Sequence, residues 1–167
     1  MRVRSPLVLA LVGVALSGCL GRESSRSSTT AADSGFAGVQ RRGAVVMGVN
    51  QYTSRHVFQP LPDGGRIELQ RGVDDSAGIA QIRGHMALIA RQFAAGDFHL
   101  PGVVHDRDVP GTRVMAERRA AISYSVESLP RGGAVRVQSG DSVAVQAIHD
   151  FLAFQRQDHH ASARRDS

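Results

Sequence analysis

The chain has 167 residues, with 20 basic residues, all of them arginine, against 15 acidic residues, so its formal net charge is +5. This length allows one domain of ordinary size in addition to terminal segments. The arginines are scattered, and no basic stripe interleaved with aromatic residues occurs in the sequence, so we expect no nucleic-acid partner.

The first eighteen residues predict an export signal. Arg2 and Arg4 give a positive start, an apolar run follows from Pro6 to Leu16, and two small residues precede Cys19. Such a run is too short to remain as a membrane-spanning helix, and charge in front of it is typical of a cleaved secretory signal. We therefore assign residues 1–18 to a signal peptide.

The end of this signal, Leu-Ser-Gly-Cys at residues 16–19, resembles the lipobox of bacterial lipoprotein precursors. The resemblance implies cleavage before Cys19, fatty acyl groups such as palmitate on that cysteine, and anchoring to the periplasmic side of a membrane. By the same resemblance, Leu20 in place of aspartate slightly favours the outer membrane. Cys19 is the only cysteine, so a lipid thioether explains it better than a disulfide does. A chance cysteine after an ordinary signal is the alternative.

The remaining chain divides by composition into a tether, a domain and a tail. Residues 20–40 are rich in Ser, Thr, Ala and Gly and lack hydrophobic periodicity, which is typical of segments that cannot bury enough apolar surface to fold. We therefore expect a lipidated cysteine with a flexible tether over residues 19–42, a domain over residues 43–160 and a disordered tail over residues 161–167. The apolar stretch 44–49 is a candidate first strand.

An internal repeat is the most informative feature of the domain. The segment LPDGGRIELQ at residues 61–70 recurs as LPRGGAVRVQ at residues 129–138, with five of ten positions identical. Each copy predicts a hairpin in which Pro-x-Gly-Gly supplies the positive φ angles of a tight turn. The predicted strands are residues 55–61 and 66–70 in the first hairpin, and 122–129 and 134–138 in the second.

A helix is predicted after each hairpin. The first begins near Asp75 and ends at Gly96, the second begins at Asp141, and an offset of 66 residues aligns their apolar positions. The predicted fold is therefore α+β: a duplicated strand-strand-helix unit that forms one four-stranded antiparallel sheet with both helices on one face. Neither unit could bury its apolar face alone.

The connection between the two units, residues 94–121, is much longer than usual, and binding residues concentrate on such connections. Pro101-Gly102 and Pro110-Gly111 predict turns, and Thr112 is a candidate cap for a short helix that runs to Arg119. His105 lies in this connection beside two aspartates. These could form an acid–base pair with it, but nucleophile and phosphate-binding motifs are missing from the sequence, so we favour binding over catalysis.

Three of the seven histidines are candidate metal ligands. His85 lies at the edge of the first helix's apolar stripe, and His159 continues the inward face of the second helix, where the repeat aligns it with Phe93. Folding of the connection over the sheet end would bring His105 to them, and Met115 or His160 could complete a site for copper or zinc. No metal-binding spacing occurs in the sequence, so capping or core histidines are the alternative.

Several stretches between Gln51 and His160 are similar to a family of small, uncharacterised bacterial proteins, some with lipoprotein signals. The stretches are residues 81–85, 96–98, 101, 105, 110–111 and 151–159. The resemblance includes His85, His105 and His159, which favours a site there, but it implies no activity. Some relatives are labelled aspartate carbamoyltransferase, and we reject that label because the chain is about half as long as such an enzyme.

These observations predict a membrane-anchored periplasmic module that binds a small ligand or a transition metal. The alternative is a structural or protein-interaction module of the cell envelope, for which the open face of the sheet would contact a partner that the sequence does not identify.

Overall fold

A computed structural model describes residues 35–46 and 53–161. The predicted signal peptide, Cys19 and most of the predicted tether lie outside the described residues, as does the tail from residue 162 onward. Within the described residues, we find no helix with the length and apolar character needed to cross a membrane.

The described chain contains four strands and five α-helices. A helix over residues 35–46, α1, precedes the sheet. The elements that follow are β1 (Ser54–Leu61), β2 (Gly64–Arg71), α2 (Ser76–Ala94), α3 (His99–His105), α4 (Thr112–Glu117), a 3-10 turn (Arg119–Ala121), β3 (Ile122–Leu129), β4 (Gly132–Ser139) and α5 (Ser142–Asp158). The strands form one antiparallel sheet in the order β1-β2-β4-β3. The predicted α+β class with a four-stranded antiparallel sheet is confirmed.

The two hairpins superimpose in register. Each strand of the second hairpin begins and ends 68 residues after its counterpart, since β3 starts at Ile122 where β1 starts at Ser54, and β4 starts at Gly132 where β2 starts at Gly64. The central strands pair so that Ile67 faces its own equivalent, Val135. The sheet therefore has a pseudo-twofold axis between these two residues.

The two long helices pack on the same face of the sheet. The side chains of Ile67 and Val135 point into the core, where they meet the apolar stripes of α2 and α5. Ile82 of α2 and Ile148 of α5 are equivalent at the predicted offset of 66 and are both fully buried. The helix offset is two less than the strand offset because the loop before α5 is two residues shorter than the loop before α2.

Each long helix begins at an aspartate, as the sequence predicts. The carboxylate of Asp75 accepts a hydrogen bond from the backbone N–H of Gly78, and that of Asp141 accepts one from the N–H of Val143. These bonds satisfy backbone donors that would have no partner within the first helical turn.

Only one glycine of the repeated turns, Gly64, has the positive φ angle that the sequence predicts. The turns are the residue pairs 62–63 and 130–131, and the glycines already belong to the outgoing strands. Gly64 has a positive φ of 137°, but a Cβ there would also lie 2.3 Å from the carbonyl oxygen of Val137. A Cβ on Gly132 would lie 2.0 Å from the carbonyl oxygen of Leu69. These glycines are needed because the two central strands approach each other closely.

The long connection is more helical than the sequence indicates. Pro101-Gly102 is not a turn but part of α3, because a proline in the first turn of a helix loses no hydrogen bond. Thr112 is the first residue of α4 rather than its cap, and its hydroxyl donates to the carbonyl of Val109. The helix ends at Glu117, before Arg119.

Residues 35–46 are helical, although the sequence suggests a tether up to residue 42 and a strand over residues 44–49, of which residues 47–49 lie outside the described residues. Val39 and Gln40 are buried, and the guanidinium of Arg42 donates to the carbonyl of Val104 in α3 at 2.7 Å. Apolar residues of this segment gain burial from contact with the domain, which local composition does not reveal.

A substitution at Gly111 tests how closely the connection packs against α5. Its φ is +82°, and a Cβ there would lie 2.1 Å from the carbonyl oxygen of Ala147. We expect Gly111→Ala to lower the free energy of unfolding by about 2 kcal/mol or more, because both backbone strain and a backbone clash must be relieved. Urea unfolding followed by circular dichroism measures this change.

Gly102→Ala is the matched control, since a Cβ at Gly102 has no heavy atom within 4 Å and the residue is helical. This variant should unfold at the same or a higher urea concentration. Equal behaviour of the two variants would contradict the close approach of the connection to α5.

Candidate functional site

A small cavity of about 70 Å³ lies between the sheet and three helices. Its walls come from β1, β2, α2, α3 and the C-terminal end of α5, together with Val46 at the end of the described part of α1. Most of the lining side chains are aliphatic or aromatic. The polar exceptions are Gln155 and four histidines: His56, His85, His105 and His159.

His56 reaches the cavity from β1. Strand alternation places it on the same face as Phe58, and it pairs in register with the core residue Leu69. Its ring stacks on that of Phe58 at a centroid distance of 5.8 Å and lies 5.1 Å from the ring of His159. A strand histidine thus occupies a position where an apolar residue is the usual choice.

His85 lies beside the buried Met86 on α2. Its Nδ1 atom is buried, and it has no hydrogen-bond partner among the described residues. A buried polar atom left unpaired costs on the order of 1–3 kcal/mol. Because this atom belongs to a residue that lines the cavity, a bound ligand is a natural source of the missing partner.

His105, the last residue of α3, is held by hydrogen bonds at both ring nitrogens. Nδ1 donates to the carboxylate of Asp158, which also pairs with Arg107, and Nε2 lies 2.9 Å from Oε1 of Gln155. Both Gln155 and Asp158 belong to α5. The imidazole therefore joins α3 to the end of α5 and has a fixed orientation at the cavity wall.

His159 is the C-cap residue of α5 and lies between the other rings of the site. Its centroid is 5.0 Å from that of His105 and 5.5 Å from that of Phe58. The next residue, His160, faces away from this cluster and stacks on Phe36 of α1 at 4.2 Å. The end of α5 therefore contacts both the cavity and α1.

Three of the four histidines are held in the neutral form. Burial and, second to it, the neighbouring His85 together lower the pKa of His56 to about 4. Burial also lowers the pKa of His85 to about 4. For His159, burial first and then the nearby His56 and His105 lower the pKa to about 2. Neutral imidazoles carry a lone pair, so they can accept a hydrogen bond or bind a metal ion.

The three histidines singled out in the sequence, His85, His105 and His159, do line one cavity. Met115 does not join them, because its side chain lies on the buried side of α4, in the hydrophobic core. The partner of His105 is Asp158 rather than the adjacent aspartates of the connection. As the side chains stand, no three His, Cys, Asp or Glu residues in the described ranges are arranged to hold a metal ion.

His56 is the site residue that sequence reasoning missed. Its signal was present, since His56 and Phe58 are two residues apart on one strand and must share a face. Nothing local showed that this face would meet the end of α5, because residues 56 and 159 are brought together only by the fold.

Comparisons with known proteins do not assign this site, because no protein family, curated protein or solved structure matches the chain. The resemblance to small bacterial proteins stays a prediction.

The neutral histidines predict loss of stability in mild acid. Between about pH 6.5 and pH 4 the unfolded chain binds protons that folded His56, His85 and His159 do not, so the stabilisation present above pH 6.5 is lost as the pH falls. We expect the free energy of unfolding to decrease between pH 7 and pH 5 by on the order of 2 kcal/mol for each such histidine. Urea titrations in the presence of a chelator measure this slope.

His85→Phe should flatten the slope, because phenylalanine removes one titrating ring and keeps an aromatic side chain at the position. His99→Gln is the control, since His99 is an exposed histidine at the start of α3. If both variants retain the slope of the parent, the loss of stability has another origin.

Proposed function

We propose that this protein is a lipid-anchored module of the bacterial cell envelope that binds a small ligand in the histidine-lined cavity. The observation that carries the proposal is the buried Nδ1 of His85, which has no hydrogen-bond partner among the described residues. An atom in this situation is explained by a ligand that supplies a hydrogen bond or a metal–nitrogen bond.

The size of the cavity limits the ligand. Each water needs roughly 10–15 Å³ of volume open to its centre, so this cavity holds about five waters, an ion with its water ligands, or a molecule of a few non-hydrogen atoms. A fatty acyl chain or a nucleotide is far larger. The walls are apolar apart from Gln155 and the imidazoles, so the polar interactions of a ligand would be made with these groups.

The outer face of the sheet gives less support to the alternative, a protein-interaction module. This face carries ion pairs, including Arg66 with Glu127 at 2.9 Å and Arg136 with Asp63. Interaction surfaces are marked by contiguous apolar patches, whereas the exposed large apolar residues described here are spread over several elements: Val45, Val73, Leu88, Val103, Val126 and Val143.

The lipid anchor is the other half of the proposal, and the residues of the signal support it. Acyl chains bury many methylene groups at about 0.8 kcal/mol each, so two or three chains on Cys19 would anchor the protein stably. Because the thiol would then be a thioether, the ligand site would have to rely on histidine, methionine and polar side chains alone.

Cys19→Ser tests the anchor. The variant should lose incorporated palmitate and should not be processed like the parent, because serine has no thiol to modify. Metabolic labelling with a palmitate analogue and gel mobility measure both effects, and Ser17→Ala, a change of one small residue for another, should behave like the parent. Lipid on the Cys19→Ser protein would contradict the assignment.

Native mass spectrometry of the protein extracted from its own membranes in mild detergent tests the ligand site. We expect the parent to carry a bound ligand that is lost in His85→Phe and retained in His99→Gln. Loading with that ligand should raise the melting temperature by several degrees, since a ligand at 100 times its Kd stabilises by about 2.7 kcal/mol.

The opposite result is equally clear. If the parent carries no ligand, and neither transition-metal ions nor small neutral molecules raise its melting temperature, the cavity is a packing feature. The interaction module would then be the better description.

A further inference from the structure

The pseudo-twofold axis relates the histidines of the cavity to three aromatic residues. The strand offset of 68 places His56 on Tyr124, and the helix offset of 66 places His85 on Phe151. The helix offset also places His159 on Phe93. Each half of the fold therefore has one ring from an edge strand, one from the middle of a long helix and one from the end of the other long helix.

In the aromatic half these three rings touch. Phe93 lies 5.8 Å from Phe151 and 6.1 Å from Tyr124, both in edge-to-face contact. In the other half, His56 lies 5.1 Å from His159 at the equivalent positions. Each half thus places three ring residues at equivalent positions, and in one half all three are histidines that line the cavity.

From this we propose, building on the ligand-binding function above, that His56, His85 and His159 supply three imidazole ligands to a monovalent copper ion, with the thioether of Met86 as a weaker fourth donor. Two imidazoles that share a metal at nitrogen–metal distances of about 2.0 Å have ring centroids about 5 Å apart, which is the separation of His56 and His159. His85 lines the same cavity with its unpaired Nδ1, and the site requires its ring to turn toward the other two, since no three such side chains stand in metal-binding positions among the described residues.

His105 positions the site rather than binding the ion. Both of its ring nitrogens already face α5 side chains, Asp158 and Gln155. Its ring meets that of His159 edge-on at 5.0 Å and so limits how far His159 can turn. The proposed ligand set therefore replaces His105, expected from the sequence, with His56.

The lining of the cavity favours an ion of low charge. No carboxylate is present among the described lining residues, so a bound cation keeps its full charge in an apolar surrounding. The cost of burying an ion rises with the square of its charge, so a divalent ion would pay about four times the cost of a monovalent one. Three histidines also bind Zn²⁺ where a bound hydroxide offsets its charge, whereas Cu⁺ needs no such anion and so suits this apolar lining better.

Met86 supports the same choice of metal. It lines the cavity with 1 % of its surface exposed, and its equivalent in the other half is Leu152. The histidine half thus has a thioether at this position where the aromatic half has the branched side chain of Leu152. Thioether sulfur is a soft donor that suits Cu⁺.

The test uses the full-length chain carrying Cys19→Ser, because a free thiol would itself bind copper. The protein is titrated with Cu⁺ under anaerobic conditions with ascorbate, in competition with a chromophoric Cu⁺ chelator. We expect one equivalent to bind, with His85→Phe weakening the affinity about 100-fold or more. X-ray absorption of the parent should show nitrogen ligands from imidazole, a readout that needs no variant.

Substitutions within the chain serve as controls for the fold, for the site and for the sulfur donor. Position 85 is equivalent to position 151 in the other half, where the residue is Phe151. His85→Phe should therefore keep the fold, and circular dichroism measures this. His99→Gln should leave copper affinity unchanged. Met86→Leu removes sulfur at nearly constant volume and should weaken Cu⁺ binding, whereas Met115→Leu, a buried methionine away from the cavity, should not.

The outcomes separate this inference from the proposed function. The copper site is overturned if the parent does not bind copper, or if a folded His85→Phe variant binds it as tightly as the parent. A Zn²⁺ ion or a small organic molecule that binds instead, and is lost in His85→Phe, overturns copper but supports a ligand site. If no metal ion or small molecule binds to the cavity, both proposals fail.

Discussion

Backbone hydrogen bonds between the two central strands join the halves of this molecule, with Ile67 opposite Val135 at their centre. The strands pair closely because Gly64 and Gly132 leave room for each other's strand, where a Cβ would lie within 2.3 Å of a carbonyl oxygen. This pairing sets the pseudo-twofold axis and places α2 and α5 side by side on one face. The cavity follows, because the end of α5 then meets β1.

The two halves of the fold differ at the cavity. One half fills the space between an edge strand and the helix ends with phenylalanine and tyrosine, while the other uses His56, His85 and His159 at equivalent positions. The connection adds α3 beside the histidine cluster, where His105 is fastened to Asp158. Aromatic rings stabilise a core simply by burial, whereas buried imidazoles lower stability in acid and leave lone pairs in an apolar space.

Much of the architecture could be predicted from local patterns. The repeated ten-residue segment, the aspartate caps and the helical spacing of apolar residues each depend on near neighbours, and all are found in the structure. His85 and His159 could be singled out because His85 lies at the edge of the apolar stripe of the first long helix and His159 continues that of the second. The helix α3 was missed because a proline-glycine pair is read as a turn, although the first turn of a helix also accepts proline.

The sequence by itself therefore determined the four strands, the two long helices, their duplication and the pairing of hairpin with helix, since these follow from periodicity and turn chemistry over a few residues. Only the tertiary structure decided that His56 joins the site, that Met115 leaves it, and that Asp158 rather than a neighbouring aspartate holds His105. These contacts connect residues about 50 to 100 positions apart. They depend on how two amphipathic helices settle on one sheet, which no short stretch of sequence encodes.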